Sequence, residues 1–130
     1  IELHTIDEKS PFVVAGIEIV PIVGCHSERF RSVGFRFGEL AYLTDMNHIA
    51  EEEIAKLHGV KTLVINALRW EKHSSHFSVA EALEVIQRVA PEQAYLTHMS
   101  HRIGLHAKAE QELPDGVHLA YDGLKITINK

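Results

Sequence analysis

From Asp45 onward, short apolar segments alternate with stretches of helical period, and this alternation constrains the fold more than any other feature of the chain. Ala50, Ile54 and Leu57 recur at i, i+4 and i+7 behind Glu51, Glu52 and Glu53, whose carboxylates suit the positive end of a helix. Gly59 supplies a stop. Residues 62–65 then read as a short, fully apolar strand. Ser78 and Glu81 form a capping box, and the helix they open carries Val79, Leu83, Ile86 and Ala90 on one stripe before Pro91 ends it. Residues 94–97 read as the next strand and 105–113 as a short helix, closed by Pro114-Asp115-Gly116. Strands separated by helices imply a layered α/β domain with a partly parallel sheet.

Antiparallel strands are expected at both ends. Residues 12–14 and 17–23 are apolar and β-branched, divided by Gly16, with Pro21 demoting part of the second run to an edge or a bend. Residues 34–37 and 40–44 flank Gly38-Glu39 as a hairpin. Residues 117–120 and 124–128 are expected to pair across Asp122-Gly123.

The chain has 130 residues, which fits one domain or one half of a larger one. A compact chain of this mass exposes roughly 6,900 Å² and buries about two-thirds of its unfolded surface, so a core is affordable. The 13 Lys and Arg against 18 Asp and Glu leave a net charge of −5, which argues against a general binder of nucleic-acid backbones. No apolar run approaches the ~20 residues needed to cross a bilayer. Cys25 is the one cysteine, so no internal disulfide framework exists and the composition suits a reducing cytoplasm. The chain opens on Ile1, and the expectation is that it forms part of a longer protein.

Ten histidines are present, and their placement carries the chemistry. Ala41-Tyr42-Leu43-Thr44 leads into Asp45, and Ala94-Tyr95-Leu96-Thr97 leads into His98. The same tetrapeptide thus twice delivers a metal-capable side chain at the end of an apolar strand, and 20–23 runs likewise toward His26. Ligand sites of open α/β sheets lie at the carboxyl ends of strands. His76 precedes the Ser78 cap by two residues, beside a helix N-terminus whose free amides favour an anion such as phosphate. Imidazole with carboxylate, and no thiolate cluster, suits Zn, Mn or Fe in a catalytic site. The bland readings stand beside this one. An Asp after a strand often caps a turn, here 46–49, and a His after a strand often only hydrogen-bonds. His73 reads as a solvated loop residue, His106 as a site neighbour or a surface helical residue, and His4, His48, His58 and His118 as ordinary ones. Tyr42 and Tyr95 read as core, Arg69 and Trp70 as packing.

In order, Val23-Gly24-Cys25-His26, Gly34-Phe35-Arg36-Phe37-Gly38 and Tyr42-Leu43-Thr44-Asp45 resemble the metallo-β-lactamase fold superfamily. His73-Ser74-Ser75-His76-Phe77-Ser78, Leu96-Thr97-His98-Met99-Ser100-His101 and Tyr121-Asp122-Gly123 narrow the resemblance to the branch of phosphoribosyl cyclic phosphate phosphodiesterases. The resemblance implies an αββα sandwich with two divalent metal ions, Zn or Mn, and a small phosphodiester substrate. It implies that His26 and His98 are metal ligands and that Asp45 bridges the two ions. It implies that His76 contacts phosphate or protonates the leaving group, with His101 nearby as a substrate-binding candidate. The superfamily signature H-x-H-x-D-H is absent from these residues. Residues 1–130 are therefore expected to be the C-terminal half of such a sandwich, a mixed sheet flanked by helices, inactive alone and prone to form a homodimer or to pair with the other half. The competing readings are a non-catalytic binding or oligomerisation module of the same fold, and a hydrolase of the same fold acting on a thioester or lactam.

Overall fold

Apolar strands joined through amphipathic helices build one mixed sheet with its helices on a single face. The computed structural model describes residues 1–128. The chain runs β1 (Phe12–Val14), β2 (Ile17–Cys25), β3 (Arg31–Phe37), β4 (Leu40–Leu43), β5 (His48–Ile49), α1 (Glu51–Ala55), β6 (Thr62–Asn66), α2 (Val79–Val89), β7 (Gln93–Thr97), a 3₁₀ turn (His101–Ile103), α3 (His106–Gln111) and β8 (Val117–Leu119). The strand order is β1-β2-β3-β4-β6-β7-β8, with β5 beside β2. β1 to β4 pair antiparallel, and β4, β6, β7 and β8 pair parallel. Successive parallel strands that are also neighbours, joined by crossovers of one hand, put every connecting helix on the same side.

That side is the core. Ala41 and Leu43, Leu63 and Ile65, Ala94 and Leu96, and Val117 and Leu119 lie opposite one another across the four parallel strands. They pack with Ile54 of α1, with Val79, Ala82, Val85, Ile86 and Val89 of α2, and with Ala109 of α3. The capping box is formed in full: the Ser78 hydroxyl accepts from the Glu81 amide and the Glu81 carboxylate accepts from the Ser78 amide.

The opposite row, Phe35–Tyr42–Val64–Tyr95–His118, runs across the other face and lies outside this core cluster. Tyr42 is 44% exposed, so it lies on an open sheet face rather than in the core its sequence context suggests. The accessible surface is 8426 Å², about 1,500 Å² more than a compact chain of this mass exposes. Tyr42 and exposed N-terminal residues such as Ile1 and Leu3 contribute to that excess.

Two local features set the strands that lead to the site. Ala15 and Gly16, both at positive φ, make the two-residue turn that matches the twist of β1 and β2. Pro21 sits within β2, opposite Phe35 of β3, where its missing N–H falls in the gap between the β1 and β5 pairings. In that gap the Glu53 carboxylate accepts from the Val23 amide and Lys56 Nζ donates to the Pro21 carbonyl, so α1 side chains replace an absent strand. The edge expected from Pro21 is therefore real and local.

The expected C-terminal hairpin does not form. Val117–Leu119 pairs parallel with β7, the Ala120 amide extends that ladder to Leu96, and 124–128 belong to no strand. The Asp122-Gly123 turn exists, with Gly123 at φ +89° and the Leu124 amide on the Tyr121 carbonyl. A turn alone does not hold two strands together, whereas β7 offers β8 both hydrogen bonds and a buried face. Among the described residues, no helix is long and apolar enough to cross a membrane.

Candidate functional site

β4 and β7 flank β6 in parallel register, so Asp45, two residues beyond the end of β4, and His98, directly after the end of β7, emerge at one rim of the sheet on either side of Asn66. Both residues have φ +59°. The left-handed region is uncommon for side chains other than Gly, and Asp and His are among those that tolerate it. The repeated Ala-Tyr-Leu-Thr segment therefore ends twice in the same backbone reversal. It aims both side chains at each other: His98 Nε2 lies 3.2 Å from Asp45 Oδ1.

His76 reaches the same oxygen from the loop before α2, with Nε2 3.0 Å from Asp45 Oδ1. The Phe77 amide donates to the Met46 carbonyl and ties that loop to the Asp45 segment. His26 arrives from the end of β2. Its Nδ1 lies 3.1 Å from the Asp45 carbonyl oxygen, which can only accept, so Nδ1 carries the proton and Nε2 keeps its lone pair. The Ser32 hydroxyl donates to the same carbonyl at 2.9 Å. The His76 ring stacks on His98 at 4.9 Å and meets His26 edge-on at 4.9 Å.

Asn66 and Gly24 hold the frame. The Asn66 side chain is fully buried, and it accepts from the Met46 amide and donates to the Met46 carbonyl, each at 2.9 Å. Gly24 leaves room for the Met46 side chain, since a Cβ there would meet Met46 Sδ at 2.4 Å. Asn66→Leu would leave the buried Met46 amide without an acceptor, and is expected to lower stability by about 1–3 kcal/mol. Urea unfolding measures this; a loss below about 0.5 kcal/mol would remove Asn66 from its framing role.

The donor set fits a divalent cation. A ring nitrogen of His26, a carboxylate oxygen of Asp45 and a ring nitrogen of His76 lie within 4.8 Å of one another. Donors around one tetrahedral ion sit about 3.4 Å apart, close to the 3.2 Å that separates Asp45 Oδ1 from His98 Nε2. Burial holds the His76 imidazole below its usual pKa, and the neighbouring His98 and His26 add to this, while the Asp45 hydrogen bond opposes it. The Asp45 carboxylate can only accept, so His76 Nε2 carries a proton and donates it to Asp45.

The four residues read from sequence as site residues, His26, Asp45, His76 and His98, converge. Asp45 caps no helical turn at 46–49, where β5 forms instead. His76 joins the tightest three-donor group, and His98 enters it through the shared Asp45 oxygen. His101 is exposed on the 3₁₀ turn and shares none of the hydrogen bonds or ring contacts that join the other four among the described residues. His73 is half-buried rather than a solvated loop residue, with its ring 5.3 Å from that of His76. Ser32, Asn66 and Ser75 were not legible as site residues. A hydroxyl or amide that supports a neighbour's backbone or ring has no spacing signature.

A beta-lactamase superfamily domain matches residues 1–99. A protein of Porphyromonas gingivalis named octanoyltransferase is 36% identical over 131 residues, covering 100% of this chain and 26% of that protein. Among solved structures, a new diphosphatase from the PhnP family is 30% identical with a TM-score of 0.93, over 98% of this chain and 49% of that one. The metallo-beta-lactamase fold protein YhfI from Bacillus subtilis is 16% identical with a TM-score of 0.77, a likeness of fold, over 93% of this chain and 54% of that one. The chain spans about half the length of these solved structures and about a quarter of the Porphyromonas protein.

Proposed function

Because the chain belongs to the beta-lactamase superfamily, we propose that it forms part of a metal-dependent phosphodiesterase acting on a small substrate. The observation that carries this reading is the convergence of two histidine Nε2 atoms on one Asp45 oxygen, with His26 fixed alongside. His26, Asp45 and His98 would hold two divalent ions, Zn or Mn, with Asp45 shared between them. Bound ions of this kind supply Lewis acidity and a water of lowered pKa.

The chain's own residues do the rest. The Asp45 carbonyl fixes the His26 ring so that Nε2 faces the site as a lone pair. The Nε2–H of His76, which points to Asp45 Oδ1, would donate to a phosphoryl oxygen, where negative charge would grow as water attacks phosphorus. The P–O bond to the leaving alcohol breaks, and the two protons of water end on the alcohol and the phosphate monoester or its buffer. The diphosphatase relative supports a phosphorus-centred substrate. The octanoyltransferase name of the Porphyromonas protein, of which only a quarter is matched, makes an acyl substrate the competing outcome.

The remaining ligands are assigned to sequence outside these residues, in the half of the sandwich that would cover the Phe35–Tyr42–Val64–Tyr95–His118 face. A cytoplasmic location belongs to the same proposal. The test compares this chain with a longer protein that contains it, each with added Mn or Zn, on bis(p-nitrophenyl) phosphate, a thioester and a chromogenic β-lactam. The longer protein is expected to hydrolyse the diester and to lose activity in EDTA. The 130-residue chain is expected to be inactive and to elute as a dimer or larger species. No diester hydrolysis with any divalent metal overturns the catalytic reading, turnover of the thioester or lactam alone moves it to another ester class, and a stable monomer of this chain counts against the covered face.

A further inference from the structure

Beyond the four converging residues, the loop before α2 holds a second group of polar side chains whose donors and acceptors can be assigned one by one. The Ser75 amide lies 3.2 Å from His73 Nδ1. An amide can only donate, so His73 Nδ1 is an acceptor and its ring proton sits on Nε2. The Ser75 hydroxyl lies 3.2 Å from that same His73 nitrogen and 2.9 Å from His76 Nδ1. His76 Nε2 faces the Asp45 carboxylate, which accepts, so in the neutral ring the proton is on Nε2 and Nδ1 is a lone pair. The Ser75 hydroxyl is thereby left one partner on the His76 side, to which it donates. The direct separation of the two Nδ1 atoms, 3.5 Å, is at the limit for a hydrogen bond, so the rings are joined through Ser75, whose amide donates to His73 and whose hydroxyl donates to His76.

We propose that Ser75 is a positioning residue for His76, and that its hydroxyl, carried on a backbone that His73 fixes through the Ser75 amide, keeps the His76 proton on Nε2. The consequence deepens the phosphodiesterase reading and rests on it in part. A neutral imidazole has two tautomers, and only one presents an N–H where Asp45 and a phosphoryl oxygen meet. Ser75 removes the other by offering Nδ1 a donor. His73 matters one step back. Its Nδ1 accepts from the Ser75 amide, which fixes the backbone of the residue that carries the hydroxyl, and its ring packs 5.3 Å from that of His76. Partners that orient a ring from its far nitrogen typically change activity by 10–100-fold when removed.

The experiment has two arms. In the first, diester hydrolysis by the metal-loaded longer protein is compared for Ser75→Ala and Ser75→Thr. Ser75→Ala is expected to lower kcat about 10–100-fold with KM within about twofold, and Ser75→Thr, which restores a hydroxyl, to recover most of the loss. In the second, long-range proton–nitrogen correlation spectra of metal-free protein report the tautomer of His76. Compared in the Asp45→Ala background, where no carboxylate holds the Nε2 proton, the protein with Ser75 is expected to keep the Nε2–H form and the Ser75→Ala variant to populate both. An unchanged kcat in Ser75→Ala, a Ser75→Thr variant as impaired as Ser75→Ala, or a single tautomer persisting without the hydroxyl overturns the proposal. If the unsubstituted protein hydrolyses no phosphodiester, the functional reading falls while the tautomer spectra still decide the role of Ser75.

Discussion

Asp45→Asn is expected to cost diester hydrolysis about 10³-fold or more and to lower the bound metal, with the fold intact. Asn keeps the shape of the side chain and tolerates the left-handed backbone that Asp45 occupies at φ +59°. The carbonyl contacts from Ser32 and His26 are main-chain contacts and survive the change. What disappears is the negative charge on the oxygen that both His76 and His98 face. A cation shared there supplies several kcal/mol of charge stabilisation in the transition state, and each 1.36 kcal/mol is about a decade in rate. Elemental analysis, circular dichroism and kcat measured together test the claim, and His98→Ala is expected to move all three in the same direction. Full metal content and a rate within tenfold of the unsubstituted protein would remove Asp45 from the centre of the site.

His76→Ala separates holding the metal from using it. The His76 side chain is 13% exposed, while His98 is 43% exposed, so His76 is the ring with least access to solvent and most contact with its neighbours. In the proposed role of donor to a phosphoryl oxygen it would be worth about 10²–10³ in kcat, the cost of deleting one oxyanion donor. His76→Ala is therefore expected to lose that factor while keeping its metal. His76→Gln, whose side-chain amide still offers an N–H, is expected to recover part of the rate. Loss of metal in His76→Ala would make His76 a ligand instead, in keeping with its place in the three-donor group of His26, Asp45 and His76. Equal impairment of the Gln and Ala variants would argue for proton transfer over hydrogen-bond donation.

The uncovered sheet face bears on both experiments. Tyr42, at 44% exposure, is the second residue of a row that runs from β3 to β8 outside the core cluster. Variants on the site rim leave that row untouched.

Local sequence determined the elements on the helix side of this protein. The Ser78–Glu81 capping box, the apolar run before Asn66 and the two-residue turns are decided by a few adjacent residues, and each forms where the sequence places it. The repeated Ala-Tyr-Leu-Thr segment was likewise enough to single out Asp45 and His98, because a strand that ends at a polar residue delivers it to the sheet rim. Tertiary structure decided the rest. Asp122-Gly123 is as strong a hairpin signal as the chain contains, yet β8 pairs with β7, since a buried parallel neighbour outweighs a local antiparallel one. Ser32, Asn66, His73 and Ser75 acquire their roles only when distant segments meet. Hydrogen bonds that orient a ring or hold a carbonyl depend on three-dimensional distance, and distance across a sheet leaves no period in a sequence.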